Sequence, residues 1–391
     1  MRAAVQGVRN CRNKNYSKGE TAMNFEFYMP VKVIQGSDCV TSHPEIWTSL
    51  GKKAFIVTGK SSAKKNGSQD DVEAALKACG MEFEVFDEIM SNPTIEVVYK
   101  GAEKMKACGA DFVVGIGGGS PMDAAKVIAL LYSQEIREED LFSGNYKDCL
   151  PPMVMIPTTA GTGSEVTKAA ILTNDRLQTK SSISTPLIFP TVSFLDAKYM
   201  MHMGRRTTVH TAIDALSHSL EGMLSSKATS ISDILAKESI SVIASCFGDL
   251  LSEGELSMEV REKLLYGSTL GGMVIAHTGT TAVHSMGYEL TYFKGDDHGR
   301  ANGLLLGGFL KLAKERAPER AEAILQALGM KDPAELSEMM EKLLKEKTRV
   351  TEEEIQKFAD IAMKAKNIRN GAFEVTRDDV VDMYRTACEK A

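Results

Sequence analysis

Two pairs of residues in the second half of the chain have the types and spacing of metal ligands. Asp214 and His218 lie four apart in TAIDALSHSLE (211–221), so a helix would turn both side chains to one side. His284 and His298 lie fourteen apart, in VHSMGYEL and DDHGRANG, across a segment containing Gly and Asp. One carboxylate and three imidazoles form a mixed oxygen and nitrogen set suited to Fe(II) or Zn(II), with coordination positions left for a substrate oxygen. The plainer alternatives are a helix-surface ion pair for Asp214 and His218 and a loop-capping imidazole for His298. His43, His202, His210 and His277 lack such neighbours in sequence. His277 precedes His284 by seven and would share its face if one helix ran through both, as a wall of the site rather than a ligand.

A second constellation lies in the first half. The segment 111–126, DFVVGIGGGSPMDAAK, reads as strand, loop and helix. Gly117, Gly118 and Gly119 permit a sharp turn and close approach to a bulky anion. Ser120 is expected to cap the helix, Pro121 suits its first turn, and Asp123 completes a Ser-x-x-Asp capping arrangement. The free N–H groups and the positive dipole end then form a pyrophosphate site; a ligand-free tight turn is the alternative. PTTAGTGSEVT (157–167) places Thr158, Thr159 and Thr162 directly after a buried strand, at the carboxyl end of a sheet, where open α/β folds bind ligands.

The elements that must position these groups follow from periodicity. Ala54–Thr58, Phe83–Phe86, Phe112–Ile116 and Met153–Ile156 are short apolar runs that read as strands. They alternate with helices over Asp70–Cys79, Thr94–Cys108 and Pro121–Tyr132, the pattern of a parallel sheet with helical crossovers. Ala169–Thr173 and Thr179–Ile183 flank Asn174-Asp175 as an antiparallel hairpin, and Phe194-Leu195 closes the half. From about Arg205 onward no strand is expected. Helical spacing runs through Val209–Met223, Ile231–Leu251, Val260–His277 and Ala301–Leu312, with Ser257 and Thr351 at helix starts and Glu354 completing a capping box.

A length of 391 residues predicts two or three domains at ~150 residues each. We expect an α/β domain over 23–203 and an all-helical domain over 204–391. A net charge of -6 argues against nucleic acid as partner, and no apolar run approaches the ~20 residues that span a bilayer. Seven scattered cysteines with no CxxC pair suit a reducing cytoplasm, most of them as small buried residues. Residues 1–22 are basic and polar. Lys18-Gly19-Glu20 can be encoded as AAAGGAGAA at ribosome-binding distance from a start codon at Met23, which predicts that 1–22 are a non-native or disordered leader and that translation begins at Met23.

Five segments in this order, FDEIMSNPT (86–94), GGGSPMDAAK (117–126), PTTAGTGSEVT (157–167), AIDALSHSLEG (212–222) and VHSMGYEL with DDHGRANG, resemble the iron-containing (group III) alcohol dehydrogenase family from about Asn24 onward. The resemblance implies an α/β dinucleotide-binding domain joined to an all-α metal-binding domain, a dehydroquinate synthase-like architecture with the active site between them. It implies that Asp214, His218, His284 and His298 hold Fe(2+) or Zn(2+), that Gly117–Ser120 receive the pyrophosphate of NAD or NADP, and that Thr158, Thr159 and Thr162 contact the nucleotide. It further implies hydride transfer between the nicotinamide and a small alcohol or aldehyde, in a homodimer. The cation would act as a Lewis acid, and the proton would leave through bound water, His277 or the nucleotide ribose.

Three positions depart from the family pattern. Tyr288 stands where many members have a second histidine, and is expected to wall the pocket or donate a hydrogen bond. Gly59 stands where NAD-preferring members carry an Asp after the first strand. With Lys60 and Lys64 nearby this favours NADP, because no carboxylate repels a 2′-phosphate. Leu195-Asp196-Ala197 replaces the usual LDP and is expected to be neutral. Within the fold, a glycerol or polyol dehydrogenase is the nearest rival. A dehydroquinate-synthase-type lyase would need more cations than Arg205, Arg206, Lys294 and Arg300 supply. A non-catalytic scaffold is disfavoured by the intact ligand set.

Overall fold

The computed structural model describes residues 25–176 and 179–391, so the expectation for the leader lies outside the described residues. The first half contains β1 (Lys32–Gln35), α1 (Pro44–Leu50), β2 (Lys53–Thr58), α2 (Ser62–Lys65), α3 (Ser68–Ala78), β3 (Glu82–Phe86), α4 (Ile95–Cys108), β4 (Phe112–Gly117), α5 (Gly119–Ser133), β5 (Met153–Pro157), β6 (Ala169–Asn174), β7 (Thr179–Ser184) and β8 (Val192–Leu195). Six strands form a parallel sheet in the order β1-β8-β5-β4-β2-β3. The central strands β2, β4 and β5 are near-continuous apolar runs because helices cover both faces of such a sheet. Thr94 caps α4 by accepting from Val97 N, and Gly109 ends it in the left-handed region at φ 66. β6 and β7 pair as the expected antiparallel hairpin, separate from the main sheet.

After β2 the chain crosses to β3 on one side, whereas after β4 it crosses to β5 on the other. The strand order therefore reverses between β2 and β4, and a crevice opens at their carboxyl ends. Residues 58 and 116 are partners across that boundary, and Gly117 pairs with Pro157 on β5. This register brings Gly59, the glycine run and the threonine loop to one edge.

The second half is built of α6 (Arg205–Met223), α7 (Ser230–Ser245), α8 (Phe247–Leu251), α9 (Met258–Thr278), α10 (Ala282–Lys294), α11 (His298–Arg316), α12 (Pro318–Leu328), α13 (Pro333–Leu344), α14 (Glu352–Ala362) and α15 (Arg377–Ala387). Ser257 caps α9, and Thr351 with Glu354 forms the capping box of α14. The expectation of no strand fails in one detail. The two-residue strands β9 (Arg349–Val350) and β10 (Glu389–Lys390) pair in parallel, too short to leave a periodic trace. α6 runs through the middle of this half and is almost wholly buried from Thr208 to Met223. No helix among the described residues is long and apolar enough to cross a membrane. Of the six described cysteines, all free, only Cys39, Cys246 and Cys388 are buried, fewer than expected.

One buried charge in this half has a consequence for stability. Glu289 on α10 is 4% exposed and has no hydrogen-bond or ion-pair partner among the described residues. Burial lifts its carboxyl from 4.5 to about 7, with only Lys357 opposing. The folded value lies above the unfolded one, so stability falls as pH rises from 4.5 through about 7. Glu289→Gln is expected to exceed the wild type in stability by up to about 3 kcal/mol above pH 7. The advantage should vanish below pH 4.5, as read by urea unfolding at the two ends of the range. An equal gap at both ends would rule out the carboxyl as its source.

Candidate metal centre and nucleotide crevice

Three helices supply the metal-ligand candidates. Asp214 and His218 project from α6, His284 from the first turn of α10, and His298 from the first residue of α11. The Nε2 atoms of His218, His284 and His298 lie 3.9, 3.8 and 3.8 Å from Asp214 Oδ1. Ligand atoms of Asp214, His284 and His298 fall within 4.8 Å of one another. A four-coordinate ion with bonds of 2.0–2.2 Å needs donor separations of roughly 3.4 Å, so the imidazoles stand a few tenths of an ångström too far from Asp214 Oδ1, and His218 lies outside the 4.8 Å group and must draw in further to complete the set. Burial pulls His218 down to about 4 and His298 well below its ordinary value, leaving both imidazoles neutral with a lone pair to give. For Asp214, burial acts upward, but His218, His298, His284 and the Asn302 amide outweigh it and hold the carboxyl below the usual range. The donor set fits a divalent ion.

Two neighbours of this set escaped sequence reasoning. Glu221, seven residues after Asp214 and on the same face of α6, is fully buried. Its Oε1 accepts from Thr281 N, Thr281 Oγ1, Val283 N and His284 N, and its Oε2 makes a short contact with His284 Nδ1. Asn302, one turn after His298, sends Nδ2 to within 3.0 Å of Asp214 Oδ1, 3.2 Å of His284 Nε2 and 3.3 Å of His298 Nε2. Gly287 makes room for that amide, since a Cβ there would lie 2.1 Å from Asn302 Oδ1. The helical spacing of Glu221 and Asn302 from the ligands was the available signal. His210 also has a partner that its sequence neighbours did not reveal. Its Nδ1 meets Asp297 Oδ2 at 2.8 Å, tying α6 to the start of α11.

The glycine run and the threonine loop face each other across the crevice. Thr158 N donates to Gly117 O at 2.8 Å. A Cβ on Gly118 would lie 3.2 Å from Thr159 Oγ1, and one on Gly119 would lie 2.8 Å from Thr162 Cγ2. The same loop packs on the helical half. Gly161 lies against Thr211 of α6, and Gly163, at φ 62, would drive a Cβ to 2.4 Å from Gly272 Cα on α9. The expected capping arrangement is not formed. Helix α5 begins at Gly119 with Gly118 as its cap, and Ser120 Oγ instead accepts from Asn92 N. Asp123 is buried, accepting from Ser164 Oγ at 2.5 Å and Ile171 N at 2.9 Å, so it braces the threonine loop rather than the helix start. Lys126, fully buried, donates to Ser164 O and Oγ, Thr167 O and Oγ1, and Ala169 O. Burial pulls its amine down to about 8 against the Asp123 and Glu165 carboxylates.

Gly59 follows β2 at the crevice, with a Cβ there 3.1 Å from Ile89 O, and Lys60 is exposed. Lys64 is taken up by Asp70 at 2.9 Å and Glu73 at 2.7 Å, so it offers less positive charge to a phosphate than its position in sequence suggested. His277 and His284 do not share one helix. α9 ends at Thr278, Gly279 turns the chain at φ 66, and no continuous helix joins His277 to His284. His277 Nδ1 meets Met273 O, its Nε2 accepts from Tyr28 N, and its ring stacks on Phe27 at 4.2 Å. Tyr288 is partly buried, stacked on His298 at 5.4 Å and edge-on to His284 at 6.3 Å. Burial, joined by Glu221 and Asp214, pushes its hydroxyl up, so it stays protonated. Lys180 of β7 was not foreseen. β7 packs on α10, and burial lowers the Lys180 amine while Asp214 and Asp123 act upward. Met155 and Met286 are fully buried in the core.

A six-stranded parallel sheet with a crevice at its order reversal, joined to a helix bundle carrying an Asp/His metal set, defines a nucleotide-binding metalloenzyme class of fold. The family model for iron-containing alcohol dehydrogenases matches residues 30–197, and that for the family's C-terminal region matches 208–388. The chain belongs to the iron-containing alcohol dehydrogenase family. It is 29% identical to the lactaldehyde reductase of Escherichia coli K12 over 356 residues, covering 86% of this chain and 92% of that one. It is 31% identical to the bifunctional aldehyde-alcohol dehydrogenase of the same organism over 294 residues, 72% of this chain, and spans only about a third (33%) of that protein's length. The crystal structure of an iron-containing alcohol dehydrogenase from Thermotoga maritima superposes with a TM-score of 0.86 at 38% identity, covering 93% of this chain and 99% of that one.

Proposed function

We propose that this chain is a metal-dependent NAD(P) alcohol dehydrogenase, moving hydride between the nicotinamide and a short-chain alcohol, diol or aldehyde. The reading rests above all on Asp214, His284 and His298 gathering their ligand atoms within 4.8 Å of one another, with His218 Nε2 3.9 Å from Asp214 Oδ1. Fe(2+) or Zn(2+) held there supplies Lewis acidity toward an alcohol or carbonyl oxygen. Asp214 contributes the one negative charge of the set, and Glu221 and Asn302 hold the donors in place. The Tyr288 hydroxyl walls the site as a proton donor, and the Lys180 amine brings positive charge to its rim. Gly117–Ser120 and Thr158, Thr159 and Thr162 form the nucleotide's seat. The two domains, 23–203 and 204–391, share the site, and the reading includes a cytoplasmic homodimer. A lactaldehyde reductase among the relatives supports a small aldehyde or diol as substrate.

NADP is the preferred cofactor in this reading, because Gly59 leaves the ribose end without a carboxylate and the next residue, Lys60, is exposed. The test is to strip the protein with chelator, restore Fe(II) anaerobically or Zn(II), and follow NADPH and NADH oxidation with a short aldehyde. Turnover that returns only with metal, and faster with NADPH, is the expected result; no turnover with any metal, aldehyde, ketone or polyol would sink the assignment. Gly59→Asp is expected to reverse the cofactor ratio by roughly tenfold or more, about the 1.4 kcal/mol of one like-charge contact. Its Cβ must first displace the Ile89 carbonyl at 3.1 Å, so some loss of total activity should accompany the switch.

A further inference from the structure

We infer that Glu221 is a positioning residue that fixes the tautomer of His284 and thereby makes Nε2 the metal-facing lone pair. The inference rests on the metal reading of His284. The Glu221 carboxylate divides its two oxygens between two tasks. Oε1 faces four donors: Thr281 N at 2.8 Å, Thr281 Oγ1 at 2.7 Å, Val283 N at 3.0 Å and His284 N at 3.3 Å. Three of these are backbone N–H groups at the start of α10, whose own cap residue, Thr281, supplies no side-chain bond to them. The carboxylate thus caps α10 from a different helix, where its negative charge also meets the positive dipole end. Oε2 faces His284 Nδ1 alone.

A carboxylate accepts hydrogen bonds and cannot donate them, so His284 Nδ1 carries the proton. In the neutral ring Nε2 is then the bare nitrogen. It points at the cluster, 3.8 Å from Asp214 Oδ1, beyond hydrogen-bond range, and 3.2 Å from the Asn302 amide, from which a bare Nε2 accepts. Among the described residues no side chain pairs with His218 Nδ1 or His298 Nδ1, the backbone of Gly161 being what lies beside His218. Among the three imidazoles, His284 is therefore the one whose proton is placed by a dedicated side chain. Such outer partners orient the ring and raise its basicity toward a metal.

The geometry makes Glu221→Gln an isosteric change with a specific fault. The amide oxygen must keep the side with four donors, so the NH2 group is left facing His284 Nδ1. That nitrogen must then accept, and the proton moves to Nε2, where it blocks coordination. Zinc affinity measured by chelator competition is expected to fall about 10–100-fold, with the thermal midpoint of the metal-free protein little changed. Against burial, Glu221 and Asp214 hold the His284 imidazole above its ordinary value. At a pH high enough to leave the ring neutral, the 15N resonances of His284 in the metal-free protein should therefore show a protonated Nδ1 in the wild type and a protonated Nε2 in Glu221→Gln. The wild-type spectrum alone tests the tautomer, should the variant fail to fold. A wild-type His284 protonated at Nε2, or an unchanged zinc affinity in Glu221→Gln, overturns the inference. A His284→Ala protein that holds zinc as tightly as the wild type would instead overturn the ligand set, while the spectra still decide the tautomer.

Discussion

Asp214→Asn protein is expected to fold and to bind nucleotide, yet to lose turnover by about a thousandfold or more. Asp214 Oδ1 is the common neighbour of all three imidazole Nε2 atoms, at 3.8 to 3.9 Å, and it is the one anionic donor in the set. Removing that charge weakens hold on a divalent ion and, with it, a Lewis acid worth several kcal/mol, where each 1.36 kcal/mol is tenfold in rate. The loss of metal affinity should exceed the ~10–100-fold produced by changes in outer partners. Fold and nucleotide binding should survive, because the amide has the same shape and the glycine run lies on the other half of the chain. The check is turnover and metal content on the same sample, with nucleotide affinity by fluorescence. Turnover within about tenfold of the wild type would show that the carboxylate is not at the reacting centre.

The second large effect is expected on structure rather than chemistry. Lys126→Met keeps the apolar stem and removes the amine that serves five acceptors at 2.6 to 3.1 Å. Ser164 O, Thr167 O and Ala169 O would lose that donor, and the buried Asp123 would lose its counter-charge. Breaking one side of such a buried pair costs about 3–5 kcal/mol. The thermal midpoint should fall by roughly 5–15 °C. Nucleotide affinity should fall with it, since the braced segment continues the threonine loop that packs on Gly118 and Gly119. A midpoint within about 2 °C of the wild type and unchanged nucleotide affinity would show that the network is not what holds the loop.

The two halves differ in how openly the sequence displays them. β2, β4 and β5 stand out as apolar runs because both of their faces are covered, whereas β1 passes unnoticed. It is an edge strand of four residues, Lys32–Gln35, with both ends exposed and a partner, β8, some 160 residues away. The hairpin of β6 and β7 is legible from its turn residues, since that pairing is local. Helical spacing from Val260 stops at His277, and Gly279 ends α9 just beyond it, so the face that one continuous helix would give His277 and His284 is not formed. For the site, residue type and spacing pointed to Asp214 and His218, and the motif around each of His284 and His298 completed the set.

What the sequence by itself determined is therefore the list of chemical groups and the short-range elements that carry them: glycines after one buried strand, threonines after the next, and Asp and His one turn apart on a helix. Each follows from conformational preferences acting over a few residues. The tertiary structure alone decided which groups meet. Glu221 reaches His284 across 63 positions, Asn302 reaches Asp214 across 88, and Lys126 reaches Thr167 across 41. A buried polar group must find its hydrogen-bond partner wherever packing places one, and periodicity within a segment carries no record of that partner. For the same reason Asp123 left its expected cap for Ser164 and Ile171, and His277 accepts from Tyr28 N, because packing between distant segments set those partners.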